Sequence, residues 1–139
     1  MRYYLFVRKL LWRLFRLFGR IQVEGGQYVP ATGSVILAPN HQSLCDPPVV
    51  GAAVLRPLFF MAKEELFRIP LLGWQIRHLN AFPVRRNAAD RAALRHAEHL
   101  LAAGEAVVIF PEGYVSKTGE MQEFHSGVAL IALRTGAPV

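Results

Sequence analysis

Short runs of apolar residues alternate along the chain with stretches in which apolar residues recur at every third or fourth position. The first pattern is typical of buried strands and the second of amphipathic helices. Strands are predicted at residues 35–38, 58–62, 79–84 and 107–110, and helices at about 47–55, 88–103 and 126–134, with mixed helix and loop over 63–78. Because strands and helices alternate, the sequence predicts an α/β fold with a mostly parallel central sheet flanked by helices.

The clearest of these helices is the one at residues 88–103. Asn87 is a residue type that favours the N-cap, Asp90 follows three positions later, and Gly104 comes directly after the predicted end. The helix carries an apolar stripe made of Ala93, Ala97, Leu100 and Leu101. This stripe predicts the face that packs against the sheet.

The first segment of the chain, residues 1–21, places cations in an otherwise apolar stretch. Lys9, Arg13, Arg16 and Arg20 recur at spacings of four, three and four, which aligns them on one face of a helix. They interrupt the run of about 20 apolar residues that a spanning helix needs, and their position does not fit a signal peptide. The pattern predicts an amphipathic helix in a membrane interface, with its cations at anionic head groups. A helix that packs on its own domain and leaves its arginines in water is the alternative.

The net charge of +6 comes from this segment, which contains six arginines and lysines before the first acid, Glu24. The remainder has ten basic and ten acidic residues, so its charges balance. This distribution argues against nucleic acid as a partner, and the sequence contains no nucleic-acid recognition motif. The single cysteine, Cys45, excludes an internal disulfide and a cysteine-rich zinc site. The length of 139 residues and the 53% hydrophobic content predict one compact domain, at residues 22–139.

Two polar motifs follow predicted strands, at the edge of a parallel sheet where binding sites form. NHQSLCD comes after the first strand and PEGYVS after the fourth. In the first motif, His41 is a candidate base and Asp46 a carboxylate that orients it. On one ideal helix they would lie about 140° apart, so the pairing requires His41 to precede the helix, and Pro47 supports a helix start there. Ser43 and Asp46 also match a capping box, which needs no catalytic role.

Other candidate sites are weaker. Cys45 lies four residues after His41, which permits a thiol–imidazole pair, although a small buried residue in a helix is the simpler interpretation. His96 and His99 share a helical face but have no third metal ligand nearby, so no metal site is predicted. The sequence has no Gly-x-Ser-x-Gly elbow and no Walker A loop. Without a convincing nucleophilic side chain, we expect a substrate group to attack directly with the help of a base.

Taken together, these segments resemble the glycerolipid acyltransferase family, typified by 1-acylglycerol-3-phosphate acyltransferase. The family's Asn-His-x-x-x-x-Asp block is NHQSLCD here, its Val-x-Arg block is FPVRR with Arg86 in the arginine position, and its Phe-Pro-Glu-Gly-Thr-Arg-Ser block is FPEGYVS. KEELFRIPLLGW and the final MQEFHSGVALIALRTGAPV are also similar to family segments. The resemblance extends from about Gln22 to the last residue and implies a glycerophosphate-acyltransferase-like fold.

The resemblance implies an O-acyltransferase that moves a fatty acyl group from acyl-CoA or acyl carrier protein to the hydroxyl of a lysophospholipid such as 1-acylglycerol-3-phosphate, in phospholipid biosynthesis or remodelling. By the same likeness, His41 is the general base and Asp46 orients it. The residues that the likeness assigns to substrate binding are Arg86, Glu112, Gly113 and Ser116. It implies no metal and no cofactor other than the acyl donor as co-substrate. Since acceptor and product are bilayer lipids, we expect a peripheral or monotopic membrane protein on the cytoplasmic face, at an anionic membrane surface.

The chain departs from the family pattern at two places. Tyr114 and Val115 stand where the family has Thr and Arg, and His125 replaces a common Lys. A charge-assisted contact contributes about 1.5–3 kcal/mol, so loss of the Arg and Lys leaves another lysophospholipid or an amine-containing lipid open as the acceptor. The chain also ends at Val139, where family members continue, and we expect a fragment or a minimal version whose sheet lacks its last strands. The alternative functions are a catalytically impaired membrane lipid-binding module of the same fold and a hydrolase of acyl thioesters.

Overall fold

The structure is a computed structural model that describes residues 2–19, 21–85, 90–116 and 118–139. These residues form four strands, which are β1 (Val35–Leu37), β2 (Leu58–Lys63), β3 (Ala81–Val84) and β4 (Ala106–Val108). The strands lie in the order β1-β4-β2-β3, and every neighbouring pair is parallel. The predicted α/β fold with a parallel central sheet is therefore confirmed.

Helices pack on both faces of this sheet. In the described part of the chain they are α1 (Arg2–Leu14), α2 (Asp46–Ala53), α3 (Pro70–His78), α4 (Arg91–Ala102) and α5 (Gly127–Thr135), with a π-helical turn at Phe15–Gly19 and 3-10 helices at Gly26–Tyr28 and Glu64–Arg68. The β1–α2–β2 and β2–α3–β3 connections step across the sheet in one direction, whereas β3–α4–β4 steps back. Right-handed crossovers therefore place α2 and α3 on one face and α4 on the other.

Each face of the sheet has its own hydrophobic cluster. Side chains alternate along a strand, so Val35 and Val108 belong to the cluster beneath α2, while Ile36 and Val107 belong to the cluster beneath α4 and α5. The apolar stripe predicted for α4 lies against the second cluster, with Ala93, Ala97 and Leu101 buried and Leu100 partly buried. The two clusters together form the core that holds the sheet edge in place.

The start of α4 differs from the prediction because a different residue caps it. Asp90 is the N-cap, and its carboxylate accepts hydrogen bonds from the backbone N–H groups of Ala92 and Ala93. The helix therefore begins at Arg91 rather than at residue 88. The predicted cap, Asn87, lies outside the described residues.

The segment between β2 and β3 is built around a close backbone contact. Gly73 of α3 is buried, and a Cβ at this position would overlap the backbone carbonyl of Phe67 in the preceding 3-10 helix. The contact fixes how α3 is rotated about its axis. After α3, Asn80 adopts a φ of 61°, which is the left-handed region and not that of a strand. The strand predicted from residue 79 accordingly begins at Ala81.

One face of α1 is fixed to the body of the protein. Tyr4 is buried, and its hydroxyl accepts a hydrogen bond from the backbone N–H of Leu58 (3.1 Å). Arg8 donates to the carbonyl of Val54, which caps the C-terminus of α2 (3.4 Å). Large apolar residues stay exposed elsewhere on the same helix, among them Phe6, Leu10 and Leu14. None of the described helices is both long and apolar enough to cross a bilayer.

Candidate active site

Two loops meet at the carboxyl edge of the sheet, as the sequence predicts. β1 and β4 are adjacent and parallel, so the chain leaves both strands on the same side. We name residues 38–46 the first loop and residues 109–126 the second loop. The backbone N–H of Ser116 donates to the carbonyl of His41 (2.7 Å). The backbone N–H of His41 in turn donates to Oε1 of Glu112 (2.7 Å).

His41 and Asp46 form a side-chain pair within the first loop. Nδ1 of His41 lies 3.0 Å from Oδ2 of Asp46. His41 precedes α2, Asp46 is the first residue of that helix, and Pro47 follows in its first turn. This break is what the spacing requires, because residues five apart within one helix point in different directions. Cys45 lies in the same break and is exposed, so the expectation of a buried helical cysteine is wrong.

The Asp46 carboxylate also organises the backbone of the first loop. Its Oδ2 accepts hydrogen bonds from the backbone N–H groups of Gln42 (2.7 Å) and Ser43 (2.8 Å). Burial alone would raise the pKa of Asp46, but the hydrogen bonds from His41, Ser43 and Gln42 outweigh it and hold the pKa below its usual range. The carboxylate is therefore charged at neutral pH. The capping box itself is not formed, because Cys45 is the N-cap of α2 and the Ser43 hydroxyl accepts from the N–H of Cys45. One oxygen of Asp46 thus bonds both to the backbone of the first loop and to His41.

The ring of His41 is enclosed by the second loop. His41 is 6% exposed, and its ring stacks on that of Phe110, with centroids 4.2 Å apart and planes inclined by 27°. The stacking and the bond to Asp46 together fix the ring's orientation. A substrate can reach the ring only along its small exposed part. Sequence reasoning treated Phe110 as the end of a strand and missed this role, because nothing local indicates which ring it will face.

Glu112 lies beneath the site and links its parts. The side chain is fully buried. Oε1 accepts the backbone N–H of His41, and Oε2 accepts the backbone N–H of Gln122 (3.0 Å). This burial does not fit the predicted direct contact with substrate, and we assign Glu112 a positioning role instead. Gln122 was not predicted either, since its part in the site is a backbone contact that its side chain does not signal.

Gly113 and Ser116 shape the second loop beside His41. Gly113 has a φ of 74°, in the left-handed region that glycine tolerates, and its N–H donates to the carbonyl of Phe110 (3.1 Å). A Cβ on Gly113 would lie 3.2 Å from two atoms of the His125 ring. The Ser116 hydroxyl donates to the carbonyl of Glu120 (2.7 Å). The Gly113 amide and the Ser116 hydroxyl thus bond within the loop.

Arg86 lies outside the described residues. The described residues on either side of this gap, Arg85 and Asp90, are bonded to each other. The backbone N–H and Nε of Arg85 both donate to Oδ2 of Asp90 (3.0 and 3.3 Å). The bond from the Arg85 backbone is the largest cause that lowers the pKa of Asp90 to about 2. Asp90 is therefore charged at neutral pH and connects the end of β3 to α4. The sequence indicated Asp90 only as an acid within the predicted helix.

A cavity of about 520 Å³ opens next to Arg85 and Asp90. Its wall also includes Arg77 from α3 and apolar side chains, among them Phe67, Phe82 and Pro83. Neither His41 nor Asp46 lines this cavity. Within the described ranges, no cluster of three or more His, Cys, Asp or Glu side chains is arranged to hold a metal ion.

A family model and individual relatives both identify acyltransferases as the proteins that this chain is similar to. A family model described as "Acyltransferase" matches residues 20–139. The 1-acyl-sn-glycerol-3-phosphate acyltransferase of Bacillus subtilis is 30% identical over 137 residues, which cover 98% of this chain and 68% of that protein. The chloroplastic 1-acyl-sn-glycerol-3-phosphate acyltransferase of Arabidopsis thaliana is 30% identical over 125 residues, 88% of this chain and 35% of its own length.

Two further similarities concern the acceptor and the fold. The lyso-ornithine lipid O-acyltransferase of Pseudomonas aeruginosa is 35% identical over 102 residues, 72% of this chain and 38% of that protein. The crystal structure of the 1-acyl-sn-glycerophosphate acyltransferase from Thermotoga maritima superposes with a TM-score of 0.70 and 35% identity, covering 94% of this chain and 56% of that one. The chain thus spans between about a third and two thirds of the length of these relatives.

Proposed function

We propose that this chain, which belongs to the acyltransferase family, transfers a fatty acyl group from an acyl thioester to the hydroxyl of a lysophospholipid. The observation that carries this proposal is the 3.0 Å contact between Nδ1 of His41 and Oδ2 of Asp46. A neutral imidazole held in this way is a base for a hydroxyl. Relatives named as 1-acyl-sn-glycerol-3-phosphate acyltransferases support the same chemistry. The donor is acyl-CoA or acyl carrier protein, and the product enters phospholipid biosynthesis or remodelling.

The reaction uses the nitrogen of His41 that does not face Asp46. The bond to the carboxylate places the proton of a neutral ring on Nδ1, which leaves Nε2 free to accept one. Nε2 takes the proton of the acceptor hydroxyl while the hydroxyl oxygen attacks the thioester carbonyl carbon. A C–O bond forms, the C–S bond breaks, and the leaving thiolate receives the proton from the imidazolium. The products are an ester and a free thiol.

Asp46 and Phe110 support the role of His41 in this scheme. The charged carboxylate stabilises the imidazolium that forms during attack. Because His41 is 6% exposed, water screens this interaction less than it would at the surface. Phe110 holds the ring in one plane, which limits the motion that would break its alignment with the acceptor.

In this proposal, the second loop and Arg86 bind the acceptor's head group. Gly113 and Ser116 lie in the loop whose backbone contacts His41, and Arg86 follows the anchored Arg85. Arg77 and Arg85 line a cavity beside that segment together with Glu64 and Asp90, so the cations and acids of its wall balance. Glu112 acts indirectly, by holding the backbone of His41.

This proposal allows acceptor head groups other than a phosphate. The loss of two expected cations at Val115 and His125 weakens the case for a phosphomonoester. A relative named as a lyso-ornithine lipid O-acyltransferase supports acceptors with a different head group. Tyr114, which is exposed and lies edge-on to His125 at 6.1 Å between ring centroids, occupies the place where such a head group would be distinguished.

We also propose that the protein acts at an anionic membrane surface on the cytoplasmic face, as a peripheral or monotopic protein. The helix α1 supports this placement, since its exposed Phe6 and Leu10 accompany the exposed cations Lys9 and Arg13. Apolar side chains beside cations suit the boundary between acyl chains and anionic head groups. The acceptor and the ester product would then enter and leave from the same bilayer.

The test is an acyl-transfer assay with labelled acyl-CoA, labelled acyl carrier protein and vesicles that contain a panel of lysolipids. We expect a labelled ester product from the unmodified chain, and a loss of about 10²–10⁴-fold in turnover for His41→Ala, which removes the base. His99→Ala is the matched control, because His99 is exposed on α4, which packs on the face of the sheet away from α2. Turnover retained in His41→Ala would contradict the proposal. Vesicle binding without any product would support the lipid-binding module, and thiol release without an acceptor would support the hydrolase.

A further inference from the structure

We propose that α3 is a second membrane-contacting element, so that α1 and α3 together hold one face of the protein against an anionic lipid bilayer. The inference rests on the proposed membrane action of α1. It adds a second contact and, with it, a defined orientation of the protein on the bilayer.

The N-terminal part of α3 exposes large apolar side chains that the described residues do not cover. Leu71 is 82% exposed and Trp74 is 52% exposed, and Ile69 directly before the helix is 49% exposed. Gly73 is the buried residue of this helix. Its close approach to the backbone of Phe67 sets the rotation of α3, so the outward position of Leu71 and Trp74 is part of the fold.

The exposed residues of α3 continue those of α1. The ring of Tyr3 lies edge-on to Trp74, with centroids 5.7 Å apart, and it also contacts the ring of His78 at 6.0 Å. On α1, Phe6 and Leu10 follow Tyr3 at spacings of three and four, so they lie along the same stripe of the helix. The apolar side chains of both helices therefore form one surface, which we name the α1–α3 surface.

The charges on α1 favour an anionic lipid bilayer as the occupant of the α1–α3 surface, while Glu64 and Glu65 before α3 are paired with Arg68 and Lys63. Arg2, Lys9 and Arg13 are exposed on α1, and no acid precedes Glu24 in the sequence. An apolar surface with cations along it fits acyl chains beneath anionic head groups. Tyr3 and Trp74 are also the side-chain types that favour the boundary between these two layers.

The α1–α3 surface reaches both edges of the sheet, because Tyr4 of α1 bonds to Leu58, the first residue of β2, whereas α3 begins beyond the last residue of β2. α3 follows β2 through a single 3-10 helix, so its first turn, with Leu71, lies at the carboxyl edge of the parallel sheet. His41 follows β1 at the same edge. α4 and α5 cover the opposite face of the sheet, and Leu133 of α5, which is 85% exposed, should point away from the bilayer.

Fluorescence quenching tests this orientation directly. The chain has two tryptophans, so Trp12→Phe leaves Trp74 as the single reporter. With vesicles of phosphatidylglycerol and phosphatidylcholine that carry brominated acyl chains, we expect strong quenching of Trp74. A Trp12→Phe/Trp74→Phe/Leu133→Trp variant places the reporter on α5, and we expect no quenching there. Equal quenching of both reporters, or an unquenched Trp74 in vesicle-bound protein, would overturn the inference.

A binding measurement gives an independent check. Leu71→Gln should weaken partition into the same vesicles roughly tenfold, because a large apolar side chain no longer enters the bilayer. Leu133→Gln is the matched control and should leave partition unchanged, and equal melting temperatures would exclude unfolding as the cause. Equal losses in both variants would refute the inference while leaving α1 as the membrane contact. Absence of vesicle binding in the unmodified chain would refute both, and neither result bears on acyl transfer to a soluble short-chain acceptor.

Discussion

The first and second loops meet at one edge of the sheet, but contacts of different range hold them in place. In the first loop, the Asp46 carboxylate bonds to groups three to five residues away. In the second loop, Glu112 bonds to the backbone of His41, 71 residues earlier in the chain, and to that of Gln122. The first loop thus contains the pair that we propose to be catalytic, and the second supplies its position and its enclosure.

This difference separates two ways of damaging the site. A change in the first loop should alter the chemistry of His41 while the fold remains. A change in the second loop should displace His41 through its backbone and lower stability at the same time. The following substitutions test whether the two loops divide the work in this manner.

The largest stability effect is expected at Glu112. Glu112→Ala leaves the buried backbone N–H of His41 and the partly buried one of Gln122 without an acceptor, which should lower the free energy of unfolding by about 3 kcal/mol and abolish turnover in the remaining folded protein. Glu112→Gln keeps one acceptor oxygen and should lose less. Urea unfolding measures both, with the exposed Glu120→Gln in the same loop as the control. Unchanged unfolding of Glu112→Ala would show that the second loop does not depend on this link.

Asp46→Asn should reduce chemistry more than stability. The amide cannot hold the imidazolium as a carboxylate does, so kcat should fall about 100-fold, or about 2.7 kcal/mol in the barrier. KM should change little, because no substrate contact is removed. Steady-state kinetics on vesicles distinguish the two parameters. A kcat within about twofold of the unmodified chain would remove Asp46 from the mechanism.

A smaller stability effect is expected at Gly113 in the second loop. Gly113→Ala forces alanine into a φ of 74°, which should cost about 1–2 kcal/mol, and its Cβ also presses on the His125 ring. Adding His125→Ala should relieve the steric contact and leave the backbone strain. If the double variant recovers full stability, the strain at Gly113 is not what limits this position.

The smallest effect is a dependence of stability on acid. Because the folded pKa of Asp46 lies below its usual range, the unfolded chain takes up this proton first. The carboxylate's stabilisation is therefore present above the usual Asp pKa and is lost as pH falls through the lowered value. The stability difference between the unmodified chain and Asp46→Asn should shrink between neutral pH and about pH 3. A difference that stays constant would contradict the assigned charge.

The sequence could predict the parts of the site that depend on neighbours along the chain. The spacing of His41 and Asp46, with Pro47 after them, required a break that brings the side chains together, and they lie 3.0 Å apart. The parallel sheet followed from alternating apolar patterns, and it placed the two loops at one edge. These features depend on backbone geometry that few residues determine.

The remainder depends on contacts between distant segments. Glu112 follows a buried strand and precedes a glycine, which would equally suit an exposed turn, and only the packed structure buries its carboxylate. Asp90 is the N-cap of α4 and also accepts a hydrogen bond from Arg85. The residue preferences of N-cap positions do not predict this second contact. For α1, the sequence suggests either a membrane-interface helix or a helix packed on its own domain. The structure has features of both, since Tyr4 is buried against the domain and Phe6 is exposed.

Nitrogen-15 NMR of the imidazoles reports which ring nitrogen of His41 carries the proton. The chain has five histidines, and comparison with His41→Ala assigns the signals of His41. At a pH where the ring is neutral, we expect a protonated Nδ1, bonded to Asp46, and an unprotonated Nε2, with this preference lost in Asp46→Asn. A neutral His41 that carries its proton on Nε2 would offer no basic nitrogen to the acceptor hydroxyl, and this result would rule out the proposed role of His41.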